Sequence, residues 1–210
     1  MTGGEERPEA ADGASTPDGP SLADRRGVET AVYQPAEDSG LLATAAVDHA
    51  AGRVLEVGTG SGWVAERVAA GADARVVGGD VNPHATRRAA ARDGVRAIRA
   101  DLTRAFRADA FDAVVFNPPY LPTDPDHEWD DWMETALSGG ENGRELIAPF
   151  LDDVGRVLAP GGCVLLLVSS LAGYDAVVDL ATAAGFDHEV VRQESFPFET
   201  LSVLKLTSTE

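Results

Sequence analysis

The residues of this chain best suited to chemistry are Asn117-Pro118-Pro119-Tyr120, a side-chain amide, two prolines and an aromatic ring in immediate succession. Proline fixes its own φ and pushes the preceding residue out of the α region, so Asn117 and Pro118 are held extended. On so stiff a platform, the Asn117 side-chain oxygen and the Pro118 carbonyl oxygen can each accept one N–H of the same planar NH2. A nitrogen of that kind, in an amide or an exocyclic amine, has its lone pair delocalised and is a poor nucleophile. Gripping both hydrogens fixes its position and favours the pyramidal form that attacks a methyl group. Orientation of this kind contributes roughly 7–11 kcal/mol of barrier lowering in favourable systems. Tyr120 is placed to stack on the flat group. Taken alone, the four residues equally suit a strand-ending turn.

Other candidates stand upstream. Arg53–Val57 is a short apolar strand running into Gly58-Thr59-Gly60-Ser61-Gly62, and Trp63–Ala70 then reads as a helix. Glycines let backbone approach a ligand and turn sharply, and a helix N-terminus offers N–H groups. The third glycine comes one residue too early for the dinucleotide pattern. Glu56, just before the turn, suits a cationic ligand better than a pyrophosphate. Asp80 ends a second strand, Ala74–Gly79, roughly 20 residues on, where an acid accepts from ribose hydroxyls in doubly wound folds. Asp101 and Leu102 follow a third strand, Val95–Ala100. There an acid can accept from an adenine amino group while the leucine packs beside the ring. Glu37-Asp38-Ser39, after Pro35, reads most simply as a helix N-terminus, with its acids near the positive end of the dipole.

The elements that must position these residues alternate between strand and helix. Asp112–Phe116, the strand ending at Asn117, is the fourth. The alternation predicts an α/β fold, doubly wound, with a mainly parallel sheet and a ligand crevice outside the carboxyl ends of the strands. Leu121 to Gly143 reads as a long loop in which Trp129 and Trp132 either line a substrate channel or tack the loop to the core. A helix from Asn142 to about Leu158, a strand Cys163–Ser169, a helix Tyr174–Ala184 and two final strands, His188–Gln193 and Leu201–Thr207, complete the pattern. The final pair breaks the alternation and predicts a hairpin-like antiparallel edge. Residues 1–27 carry almost no large apolar side chain and read as a disordered acidic tail, with one domain over 28–210.

The 210 residues hold 17 basic and 35 acidic side chains, a formal net charge of -18. Grip on a phosphate backbone relies on Lys and Arg, so nucleic acid is disfavoured as a partner. Scattered acids of this kind read as a solvated surface suited to high salt or solubility, with attraction for a basic protein partner as the alternative. Cys163 is the lone cysteine and reads as a small buried hydrophobe, and the four histidines match no metal spacing, so no metal is expected. No apolar run reaches the roughly 20 residues that span a bilayer, and the polar N-terminus is unlike a signal peptide. A soluble cytoplasmic protein is the expectation.

Glycine loop, ribose acid and Asn-Pro-Pro-Tyr in this order resemble class I S-adenosylmethionine-dependent methyltransferases acting on amide or exocyclic nitrogens. With Tyr33–Ser39, the run Ser138-Gly139-Gly140-Glu141-Asn142-Gly143-Arg144-Glu145 and the segment Glu199–Lys205, the resemblance from about Val28 onward narrows to HemK-like release-factor glutamine methyltransferases. The similarity is to their archaeal and eukaryotic branch. It implies a Rossmann-like seven-stranded sheet, S-adenosyl-L-methionine as cofactor, and methylation of the glutamine in the Gly-Gly-Gln loop of a class I translation termination factor. It places Ser39, Glu56, Gly58, Gly60, Asp80, Asp101, Leu102 and Asn117 on cofactor-contacting positions, with Ser39 where Thr is usual. Asn117 and Pro118 fall on substrate-amide positions and Tyr120 on the packing aromatic. Gln34 stands where many relatives carry Glu. The branch commonly pairs with a small zinc-binding activator subunit that covers an apolar edge. Lysine or DNA adenine as acceptor, and a cofactor-binding scaffold without catalysis, are the alternatives.

Overall fold

A computed structural model describes residues 32, 34–123 and 132–209. The tail at 1–27, Tyr33, Trp129 and most of the acidic stretch from Asp124 lie outside the described residues. Helix α1 (Glu37–His49) precedes β1 (Gly52–Val57), α2 (Trp63–Gly71), β2 (Ala74–Asp80), α3 (Pro83–Ala89), β3 (Val95–Arg99) and β4 (Phe111–Phe116). Then come α4 (Trp132–Leu137), α5 (Ile147–Val157), β5 (Leu158–Ser169), α6 (Tyr174–Ala183), β6 (Phe186–Ser195) and β7 (Thr200–Ser208).

The seven strands lie in the order β3-β2-β1-β4-β5-β7-β6. The first five are parallel neighbours, whereas β7 runs antiparallel to both β5 and β6. The antiparallel hairpin expected at the edge is present, with β7 slotted inward and β6 outermost. β-Branched strands buried on both faces explain why the sheet is sandwiched between two helical layers. Along β4, Ala113 and Val115 pack with α1 and α2 on one face, while Val114 and Phe116 pack with α5 and α6 on the other. Arg53, at the start of β1, clips to β4 through its N–H and guanidinium on Asp112, which holds that carboxyl down to about 2.

Three segments differ from the sequence reading. The stretch from Leu121 is not all loop, because Trp132–Leu137 forms a short helix. Helix α5 starts at Ile147, five residues later than Asn142, because the glycines and Asn142 form turns: the Arg144 N–H donates to the Asn142 side chain and the Glu145 N–H to Gly139 O. Strand β5 begins already at Leu158 and makes an excursion at Pro160-Gly161 before rejoining β4 at Cys163.

Candidate active site

Strands β1 and β4 are neighbours at the centre of the sheet, where connections depart in opposite directions, and this is where a doubly wound sheet opens a crevice. Val57 stands opposite Phe116, so Gly58 and Asn117 leave the sheet side by side. Val57 also stands opposite Gly79, which brings Asp80 alongside. A cavity of about 360 Å³ occupies this place. Glu56, Gly58, Gly60, Asp80, Asp101 and Leu102 line one part of it, and Asn117, Pro118 and Tyr120 another. Ser39 closes it from α1, and Trp132 of α4 also reaches it. Ser39, Glu56, Gly58, Gly60, Asp80, Asp101, Leu102, Asn117, Pro118 and Tyr120 thus border a single space, together with Trp132, while Gln34 is not part of its lining.

The floor is the glycine turn. Gly60 and Gly62 adopt φ of 54° and 75°, where a Cβ is strained. Gly62 also caps α2 so closely against α3 that a Cβ would lie 2.7 Å from the Ala89 Cα. Each oxygen of Asp80 braces this region, accepting from the Gly60 N–H at 2.9 Å and the Asn82 N–H at 2.8 Å. The Val81 N–H adds a third backbone donor, and with about four lone-pair sites on a carboxylate, room is left for a further donor. Asp101 is more exposed and pairs with Arg104 at 2.5 Å on the rim.

Glu56 is buried at the end of β1. Its Oε2 accepts from Thr59 Oγ at 2.5 Å and from the Ala65 N–H at 3.0 Å. Burial nevertheless pushes its carboxyl up to about 8, against the lowering effect of those two donors and with a smaller upward push from Asp80. A cation in the cavity would offset that burial cost. Sequence reasoning missed Thr59, although a hydroxyl three residues beyond a strand-ending acid was the available signal.

The amide end holds the sharpest feature. Asn117 donates from Nδ2 to Asp38 Oδ2 at 3.0 Å, and its Oδ1 is buried without a hydrogen-bond partner. Buried acceptors are normally satisfied, and leaving one unmade costs roughly 1–3 kcal/mol, so this oxygen, on a residue that lines the cavity, keeps full capacity for a donor. Asp38 was also missed, because Glu37-Asp38-Ser39 reads as helix capping. The helix does start at Glu37 with both acids in its first turn, but its N-cap is Ala36, without a side-chain cap, and Asp38 is buried against the end of β4. The run Ser138–Glu145 holds the chain after Tyr120. Leu121 donates to Leu137 O and accepts from Gly139, while Thr123 donates to Gly140 O. Among the described residues no cluster of His, Cys, Asp and Glu suits a metal ion, and no helix is long and apolar enough to cross a membrane.

These residues fit a nucleoside bearing a cationic sulfur: an acid with spare lone pairs, a floor without Cβ atoms, and a buried carboxyl that a cation would ionise. Comparison with known proteins agrees. Residues 54–138 match the methyltransferase domain family. A Methanocaldococcus jannaschii protein named as a protein N5-glutamine methyltransferase is 35% identical over 180 residues, 82% of this chain and 90% of its own. Human methyltransferase HEMK2 is 33% identical over 200 residues, 88% of this chain and 93% of its own. Among solved structures, the E. cuniculi Mtq2-Trm112 complex, described as responsible for methylating the termination factor eRF1, matches with a TM-score of 0.70 at 28% identity, over 85% of this chain and 99% of that one. The chain therefore belongs to the HemK-like protein N5-glutamine methyltransferases, enzymes that take their methyl group from S-adenosylmethionine.

Proposed function

We propose that this protein methylates the side-chain amide nitrogen of the glutamine in the Gly-Gly-Gln motif of a class I translation termination factor. The observation that carries the reading is the buried, unpartnered Oδ1 of Asn117, a residue that lines the cavity. S-adenosylmethionine supplies the methyl group when bound. Asn117 Oδ1 and the Pro118 carbonyl take the two N–H groups of the glutamine amide, and Tyr120 packs against its plane. Ser39, Glu56, Gly58, Gly60, Asp80, Asp101 and Leu102 bind the donor. Asp80 takes the ribose hydroxyls, and Glu56 in its ionised form balances positive charge. After transfer the nitrogen is acidic enough to lose its proton to water, so no side-chain base is assigned. We read residues 28–210 as one catalytic domain behind a tail, acting in the cytoplasm where termination occurs.

A second proposal concerns the open edge. Strand β3 ends the sheet, and Ile98 stands 42% exposed on it. Residues 87–107 hold seven arginines against two acids in a chain of net -18. An unpaired strand edge with apolar and basic residues suits an acidic protein that covers it. The similarity to a methyltransferase solved with Trm112 supports a small zinc-binding activator in that role. A chain that is monomeric, soluble and fully active by itself contradicts this.

The test of function is methyl transfer from labelled S-adenosylmethionine to three acceptors side by side: a purified termination factor, a histone-like basic peptide and DNA. Label confined to the Gly-Gly-Gln glutamine, and lost when that glutamine is replaced, is the expected result. Label on lysine or adenine instead would transfer the assignment to those acceptors. Cofactor binding by calorimetry without any product would indicate a scaffold.

A further inference from the structure

Asp38 sits in the first turn of α1, far in sequence from the strand end that it touches, and is 4% exposed. Its two oxygens face different halves of the site. Oδ2 accepts from Asn117 Nδ2 at 3.0 Å, while Oδ1 accepts from the Ser39 N–H at 2.5 Å and from Ser39 Oγ at 3.1 Å. A carboxylate accepts and does not donate, so the Asn117 amide must present its nitrogen to Asp38 and turn its oxygen to the other side. That other side is where Oδ1 is buried without a partner. An amide that donates to a carboxylate is also polarised, which strengthens its oxygen as an acceptor.

We propose that Asp38 is a positioning residue that acts through Asn117, fixing which atom of the carboxamide meets the substrate NH2 and strengthening that atom's grip. The proposal rests on the reading of Asn117 as the amide-gripping residue. Ser39 anchors the same carboxylate from the cofactor side, so the α1 N-terminus completes the substrate half of the site.

A double-mutant cycle tests this on the full chain with its activator. Asp38→Ala lowers kcat about 10²-fold, the scale of a misplaced reacting group. Asp38→Asn keeps an acceptor oxygen at the same reach and recovers kcat to within about tenfold of wild type, since a neutral acceptor is weaker than a charged one. In an Asn117→Ala background, neither Asp38 change lowers kcat by more than about threefold further, because the partner is already gone. Because Asp38 also holds Ser39 on the cofactor side, the Kd for S-adenosylhomocysteine rises, but by a smaller factor than kcat falls. Additive losses, or a Kd that worsens while kcat holds, overturn the proposal. If Asp38→Ala does not fold, the isosteric Asp38→Asn runs the same cycle. If wild type leaves the termination factor unmethylated, the assigned function fails by itself. The Asn117 side-chain NH2 resonances of the free protein then decide: an upfield shift of one proton in Asp38→Asn supports the coupling, and no shift overturns it.

Discussion

At the scale of single residues, the account turns on two buried polar atoms. Removing the Asn117 carboxamide takes away a preorganised contact to the reacting nitrogen, so Asn117→Ala should lose about 10²–10³ in kcat with little change in fold. Steady-state methylation of the termination factor, with circular dichroism of the variant, checks it. Glu56 gives a pH signature. Its carboxyl lies at about 8 in the folded protein, above the ordinary 4.5. The folded state therefore binds this proton more tightly than the unfolded chain. The resulting stability is fully present below about 4.5 and lost as pH rises through about 8. Glu56→Gln should flatten the alkaline decline in Tm relative to wild type. Cofactor binding, by favouring the ionised form, should release a proton near neutral pH, which calorimetry in buffers of different ionisation heat detects. Asn117 was readable from sequence because two prolines advertise its rigidity. Asp38 was not, because an acid in a first helical turn has a sufficient local explanation and only the tertiary fold shows its partner 79 residues away.

Elements explain what the glycines are for. Gly62→Ala meets a left-handed backbone and the Ala89 Cα at 2.7 Å, so it should cost about 1–3 kcal/mol for the backbone alone and push α3 off α2. Gly40 lies in α1 with nothing within 4 Å of a Cβ, and Gly40→Ala should stabilise by about 0.5–1 kcal/mol. Thermal unfolding of the pair checks both signs at once, and a destabilised Gly40→Ala would contradict the described packing of α1. Strand and helix periods were visible for most elements, because β-branched runs end at glycine, proline or acid. Less visible were the ends of α5 and β5. In the run before Ile147 a side chain caps turns that helical composition conceals, and the Pro160-Gly161 excursion interrupts pairing without ending the strand.

For the whole molecule, strand-helix alternation was enough to anticipate a doubly wound sheet with its crevice at the strand ends. The inward slot of β7 was not readable, since two adjacent strands in sequence do not say which becomes the edge. The acid excess makes its own prediction. Self-repulsion at net -18 is screened by salt, so Tm should rise between about 0.01 and 1 M NaCl, and a flat or falling Tm would show that local pairs outweigh the global charge. The arginine-rich β3 edge runs against that field, and the association proposed for it with an acidic activator should weaken over the same salt range. The most direct measurement of the central claim is a crystal structure of the enzyme with S-adenosylhomocysteine and a Gly-Gly-Gln peptide. The account predicts the glutamine side-chain nitrogen within hydrogen-bond distance of Asn117 Oδ1 and the Pro118 carbonyl, with Asn117 Nδ2 still on Asp38. A glutamine bound elsewhere, or an Asn117 oxygen turned away from it, would contradict it.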